Sequence, residues 1–222
     1  YVNRWAAAPA DRIAVFTNND DGHRTAADLA ATGVDVTAII DSRPDAPESD
    51  VAELFAGAVV TESSGRRGLG HVTVRRADGS RKNLDCGALA VSGGWNPNVH
   101  LTCHHRGKPR WQEDIAAFVP GDGVPAGMNV AGAARGVFST AGALADGQAS
   151  ALAHLSDLGI EAKPARLPEA EDAPVSIAPL WHVGGTKRAW LDQQNDVTVK
   201  DVGLAHQENF RAVEHLKRYT TL

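Results

Sequence analysis

The stretch VFTNNDDGHRTAADLA, residues 15–30, decides how the chain is read, because it has the outline of a turn that cradles a dinucleotide. In a G-x-G-x-x-G turn the backbone comes close to a pyrophosphate, and an acid about 20 residues further on takes the ribose hydroxyls. Laid on that spacing, the three glycine positions fall on Thr17, Asn19 and Gly22, and Asp41 stands 19 residues after Gly22. One glycine of three remains. Asp20 and Asp21 put negative charge where a pyrophosphate would sit, and they satisfy the positive end of the helix themselves. The residues therefore predict a Rossmann-like turn whose ligand site has been lost.

Around this turn, residues 12–41 run from an apolar segment through an alanine-rich helix to VDVTAII and Asp41, which is β-α-β. The helix is predicted over 23–32, with Gly33 as its left-handed C-cap. Pro44 and Pro47 interrupt the chain before SDVAELFAG, read as a short helix capped by Ser49 or Asp50. AVVTES then reads as a third strand of the same parallel sheet. Two alternating segments flank Ala77, Asp78, Gly79 and Ser80, predicting a β-hairpin or meander, and ALAV reads as a buried strand.

Residues 99–127, with Pro109, Pro120 and Pro125, predict an irregular surface crossing with a short helix near 112–117. MNVAGAARG predicts a short strand running into glycine, followed by a long alanine-rich helix ending at Gly159. A strand-glycine-helix unit is a second candidate phosphate cradle. Pro164, Pro168 and Pro174 give residues 160–178 linker composition, so a domain boundary is placed there. Beyond it, Thr198 and Asp201 resemble a capping box. Val202 and Ala205 mark one helical face and Phe210, Val213 and Leu216 another, with Asn209 able to take a positive φ at a tight corner between two helices.

Of the 222 residues, 43% are hydrophobic and 22% charged, ordinary for a globular protein of one or two small domains. A net charge of -5 gives no basic field, so no nucleic acid partner is expected. No apolar run reaches the roughly 18 residues of a membrane helix and no secretory leader pattern opens the chain, so no membrane contact and a cytoplasmic location are expected. Cys86 and Cys103 lack CxxC spacing and are expected as free thiols. His100, Cys103, His104 and His105 are metal-capable types, but H-x-x-C-H-H is not a zinc spacing and adjacent histidines point apart, so no metal is expected. Ser92 lacks the G-x-S-x-G elbow and any assignable histidine and acid, which leaves a hydrolase as third choice. Trp95 and Trp111 read as packing or interface residues, and Trp181 and Trp190 as partner contacts. Lys187, Arg188, Lys217 and Arg218 fit a solvated face or a partner contact equally well.

LAVSGGWNPNVHL completes a set. With RIAVFTNND, AADLAATGVDVTAIIDSRP, FVPGDGVPAGMNVAGAARGVFSTAGALADG and QNDVTVKDVGLAHQENFRAVEHLKRYTTL, in this order, it closely resembles the alpha subunits of the heterotetrameric sarcosine oxidase family over nearly the whole chain. The resemblance implies an α/β fold: a Rossmann-like FAD/NAD(P)-binding, disulfide-reductase-like domain with a β-meander, plus a small C-terminal helical module. Residues 11–90 would be an inserted second Rossmann-like domain and 91–160 the closing part of the first, NAD-binding domain. Residues 161–180 would be a linker, and 181–222 the start of a module that in sister enzymes holds a [2Fe-2S] cluster.

The resemblance further implies NAD held by the first domain, FAD and FMN in or against a beta subunit, and tetrahydrofolate in a downstream domain. The implied partners are beta, gamma and delta subunits. Sarcosine would be demethylated to glycine, with formaldehyde or methylene-tetrahydrofolate and hydrogen peroxide as products and no catalytic residue in this chain. AVSGGWNPN takes the place of the superfamily's return strand, so Ser92, Gly93 and Gly94 would approach the dinucleotide. VAGAARG takes the place of the terminal glycine-acid motif, with Gly132 close to the nucleotide and Ala133 in the acid's position. The first two cluster cysteines fall on Asp192 and Gln194, so no iron-sulfur cluster is expected. An internal fragment, inactive alone and exposing apolar surface over residues 128–158, is the expectation. The alternatives are the alpha subunit of a related opine or amine dehydrogenase, or a non-catalytic scaffold that binds a partner subunit.

Overall fold

Two apolar runs, RIAVFT and DVTAIID, lie parallel at the centre of the molecule as β1 (Arg12–Thr17) and β2 (Asp35–Asp41). The computed structural model describes residues 1–170, 172–173, 176–185 and 188–222. Pro174, counted in the linker, and Lys187, a candidate partner contact, lie outside the described residues, as does the His105 side chain. Before β1 the chain makes a single helical turn, α1 (Val2–Trp5).

β1 and β2 are buried on both faces. Ile13, Val15, Val36 and Ile39 pack with Ala26 and Leu29 of α2 (Asp20–Ala31), while Ala14, Ala38 and Ile40 pack against the opposite layer. Because successive side chains alternate sides of a strand, one short run serves two cores. α2 begins at Asp20, earlier than the predicted His23, because the Asn19 side chain accepts the Asp21 amide at 3.0 Å and caps it. It ends where expected, with Gly33 at φ +87°.

SDVAELFAG does not form a helix. Its apolar spacing fits a helical turn, but Leu54, Phe55 and Ala56 pair with β2 as β3 (Leu54–Ala56), and buried Phe55 enters the second core. Gly57, at φ +63°, turns the chain away. AVVTES is therefore not the third parallel strand but the first of an antiparallel meander: β4 (Val59–Ser64), β5 (His71–Arg75) and β6 (Arg81–Asp85). The meander buries Val72, Val74, Leu84 and Cys86 against the parallel sheet, giving three layers: α2, sheet, meander. β7 (Ala88–Ser92) returns beside β1 and completes the order β3-β2-β1-β7. As an edge strand it is half-buried, with Val91 67% exposed, not the buried strand that ALAV suggests.

Residues 110–119 form a small hairpin, β8 (Arg110–Gln112) and β9 (Ala117–Val119), around one 3-10 turn where a short helix was expected. Met128, Asn129, Val130 and Ala131 form no strand, since no neighbouring strand among the described residues offers them a ladder. A 3-10 turn at Gly132–Arg135 precedes α3 (Thr140–Asp157), capped by Ser139 and followed by Gly159 at φ +71°. No residue of α3 is fully buried, and its leucines, Leu144, Leu152 and Leu155, are half-buried.

At the C-terminal end β10 (Trp190–Asp192) pairs with β11 (Val197–Thr198), which leads into α4 (Val199–Gln207) through the capping box; the Asp201 carboxylate accepts from the Thr198 amide at 2.8 Å. Asn209 takes φ +74° at the corner before α5 (Val213–Thr220), as its position predicts. Ala205 is buried and Phe210 stacks on Tyr219, but Val213 is 68% exposed because it stands at the first residue of α5 and points off its end. A Cβ added to Gly203 of α4 would meet nothing within 4 Å. Gly203→Ala is expected to stabilise the module by about 0.5–1 kcal/mol, read as a higher Tm in thermal unfolding. No helix among the described residues is long and apolar enough to cross a membrane.

Candidate functional site

The loops at the carboxyl ends of β1, β2 and β7 are where an open α/β sheet offers a ligand crevice. Thr17 ends β1, and its hydroxyl accepts the Asn19 amide at 3.1 Å, which closes the turn tightly. The Asn19 side chain donates to the Ser92 carbonyl at 3.0 Å and accepts from the Ser92 hydroxyl at 3.2 Å, tying β7 to the turn. Ser92 is thus a structural partner of Asn19. Gly22 packs on the strand: a Cβ there would lie 2.3 Å from the Thr17 Cβ.

Asp41, the expected ribose acid, is fully buried and fully engaged. Its Oδ1 accepts the Arg43 amide at 2.9 Å; its Oδ2 accepts Arg43 Nη2 at 2.7 Å and lies 2.8 Å from His23 Nε2. Burial pushes the Asp41 carboxyl up, but the hydrogen bonds from Arg43 and His23 and the Arg43 charge outweigh it and hold the group below the usual carboxylate range. Arg43, 4% exposed, extends its other nitrogen 2.8 Å from Asp20 Oδ1. Sequence reasoning named Asp41 and missed Arg43. The available signal was DSRP, in which an arginine two residues past a strand-end acid returns to the same side.

The mouth of this cradle is covered by residues 176–178. Ile177 bridges Asn19 in antiparallel fashion, and the Ser176 carbonyl accepts from the Asp20 amide at 3.2 Å and from Arg43 Nη1 at 2.8 Å. A Cβ on Gly94 would lie 2.4 Å from Ile177 Cδ1, whereas one on Gly93 would meet nothing within 4 Å. The Trp95 indole donates to Asp21 at 2.9 Å.

The second candidate cradle is separate. Gly132, at φ +62°, donates its amide to Asp146 Oδ2 at 2.8 Å, and Asp146 also pairs with Arg135 at 3.0 Å. Ala133 follows within the 3-10 turn. No hydrogen bond among the described residues joins Ser92, Gly93 and Gly94 to Gly132 and Ala133. Cys86 and Cys103 are free, Cys86 buried with its thiol pushed up by desolvation. His100 bonds Asn98 at 2.7 Å. In the C-terminal module the Asp192 carboxylate accepts from the Gln194 amide and the Asn195 side chain, each at 2.8 Å, so it is spent on a turn. Trp181 is 78% exposed and 5.7 Å from Trp111, whose ring meets Phe118 edge-on at 5.2 Å.

Over residues 186–222 the chain matches the family model described as the sarcosine oxidase A3 domain, which places α4 and α5 in that domain. Along its whole length it is 41% identical, over 226 aligned residues, to the sarcosine oxidase alpha subunit of Rhizobium meliloti (strain 1021), covering 100% of this chain and 23% of that protein. The chain is similar throughout to sarcosine oxidase alpha subunits. To the subunit from Corynebacterium sp. (strain U-96) it is 36% identical over 244 residues, covering 100% of this chain and 25% of that one. It thus spans about a quarter of the length of these relatives. Among solved structures, L-proline dehydrogenase from P. horikoshii superposes with a TM-score of 0.62 at 19% identity, covering 100% of this chain and 42% of that chain. The fold is therefore a Rossmann-type α/β fold.

Proposed function

We propose that this chain is part of the alpha subunit of a heterotetrameric sarcosine oxidase, acting with beta, gamma and delta subunits. The observation that carries the reading is the 41% identity to a sarcosine oxidase alpha subunit in an alignment that covers the whole of this chain. The reaction consumes sarcosine, dioxygen and water and yields glycine, formaldehyde and hydrogen peroxide; with tetrahydrofolate the one-carbon unit leaves as methylene-tetrahydrofolate. FAD and FMN supply the electron transfer from a partner subunit, and residues of this chain take no catalytic part.

Its share is to hold NAD from one side. The β1–α2 mouth does not fit NAD, because Asp20, Asp21 and Asp41 oppose a pyrophosphate and residues 176–178 stand in its place. Gly93 and Ala133 fit a close approach: Gly93 leaves open space and Ala133 has no bulk. Gly94 and the Gly132 amide, already engaged by Ile177 and Asp146, act as supports beside them, with Ser92 anchoring the strand. At the start of the C-terminal module, Asp192 and Gln194 offer oxygens where a cluster needs thiolates, which does not fit an iron-sulfur cluster at these positions.

Exchanging this segment for its counterpart in the Rhizobium meliloti alpha subunit tests the reading: the hybrid complex is expected to release hydrogen peroxide from sarcosine. Retained assembly with oxidation of another secondary amine but not sarcosine would sink it. NAD titrated calorimetrically into this chain alone is expected to give no saturable heat. In the complete alpha subunit, Gly93→Val is expected to weaken NAD about tenfold. Saturable binding by the isolated chain, abolished by Asp41→Ala, would move the site to the inserted cradle.

A further inference from the structure

We infer that the mouth between β1 and α2 has become a socket for this chain's own main chain, and that residues 176–178, docked in it, fix the path from α3 to the C-terminal helical module. All four backbone polar groups of Ser176 and Ala178 are met by the socket. The Ser176 amide donates to Asp20 Oδ2 at 2.7 Å, and its carbonyl accepts from the Asp20 amide and Arg43 Nη1. The Ala178 amide donates to the Asn18 carbonyl at 3.0 Å, and its carbonyl accepts from Asn18 Nδ2 at 2.8 Å. Extended main chain added to a sheet end in this way is recognised by its backbone, with alternate side chains supplying register.

The single side chain read is Ile177, set against Gly94. The absent Cβ at Gly94 is what makes room for it, so this glycine serves the chain's own isoleucine. The charge pattern agrees. Asp20, Asp21 and Asp41 disfavour an anion, yet a neutral peptide carbonyl is met by Arg43, whose guanidinium Asp20 and Asp41 hold in place. Further along, a Cβ on Gly185 would lie 2.9 Å from the Thr61 carbonyl, so the chain passes close to the edge strand β4 at that point. The inference does not depend on which amine the complex oxidises.

The test follows hydrogen exchange in the complete subunit at residues 15–22, 35–41 and 176–185, with limited trypsin cleavage at Arg166 and Arg188. Ala178→Pro removes one docking amide and Ile177→Asp puts a carboxylate in place of the apolar side chain set against Gly94. Each is expected to speed exchange at the Asp20 amide and cleavage by about tenfold or more while β2 stays protected. Ala178→Ser, which keeps the amide, is expected to behave as the parent. Unchanged exchange at Asp20 in both disrupting variants would overturn the inference. So would an Ala178→Ser variant as disrupted as Ala178→Pro, or loss of β2 protection in both disrupting variants, which would make the segment part of the core. Saturable NAD binding gained by Ile177→Asp would also overturn it, by making the segment a gate over a nucleotide site.

Discussion

Arg43→Ala is expected to destabilise the protein by about 3–5 kcal/mol at pH 7, the cost of leaving a buried carboxylate without its cation. Asp41 has no exposed surface, and Arg43 gives it a backbone amide and a two-pronged side-chain contact. Without the guanidinium, burial dominates and the carboxyl is driven to take up a proton. The native group, by contrast, has its value depressed below that of the unfolded chain. Its contribution to stability is therefore complete above the ordinary aspartate value of about 3.9 and is lost as pH falls through the folded value. The gap between parent and variant should thus narrow between pH 7 and pH 4 in urea unfolding. A gap constant over that range would show that the guanidinium acts by packing alone. Asp41→Asn combined with Arg43→Met should recover a large part of the loss, since neither partner then leaves a charge behind.

Gly22→Ala is expected to cost about 1–3 kcal/mol, toward the upper end, because the new Cβ would overlap three atoms of the buried Thr17 side chain. In a protein of this size each kcal/mol moves Tm by about 2–4 °C, so calorimetry should register the change clearly. The reason lies in the spacing of the turn. In G-x-G-x-x-G the first two glycines serve the tight turn and the approach to phosphate, and the third serves close helix-to-strand packing. Thr17 and Asn19 occupy the first two positions, and the packing glycine is the one that stays. A Gly22→Ala variant as stable as the parent would contradict this account.

The features legible in the sequence are those with local causes. Gly33, Gly159 and Asn209 take the positive φ their positions call for, and Thr198 with Asp201 closes a box whose members are three residues apart. The helical period of residues 140–157 and the alternation on either side of Asp78 and Gly79 needed no tertiary information. What the sequence hid depends on distant partners. Val51, Leu54 and Phe55 keep a helical spacing, but pairing with β2 and a pocket for Phe55 outweigh it, and a three-residue strand has no period to read. The strand expected at Met128 to Ala131 fails for the opposite reason, having no ladder to join. At the candidate site the acids at the mouth, Asp20 and Asp21, were readable in the sequence. Its occupant was not, because backbone recognition leaves no mark in a proline-rich segment.

The bond between Asn18 and Ala178 closes 160 residues of chain, whereas β1, α2 and β2 lie within thirty positions of one another. Contacts of such separation form late, because loop-closure entropy must be overcome first. On the ribosome the delay is longer still. At about 5–20 residues per second, roughly 4–17 s pass between emergence of Gly94, the last residue of the socket, and emergence of Ile177. The β-α-β unit therefore folds with an open, acid-lined mouth during synthesis, and the late arrival of Ile177 marks the moment the nascent domain is sealed.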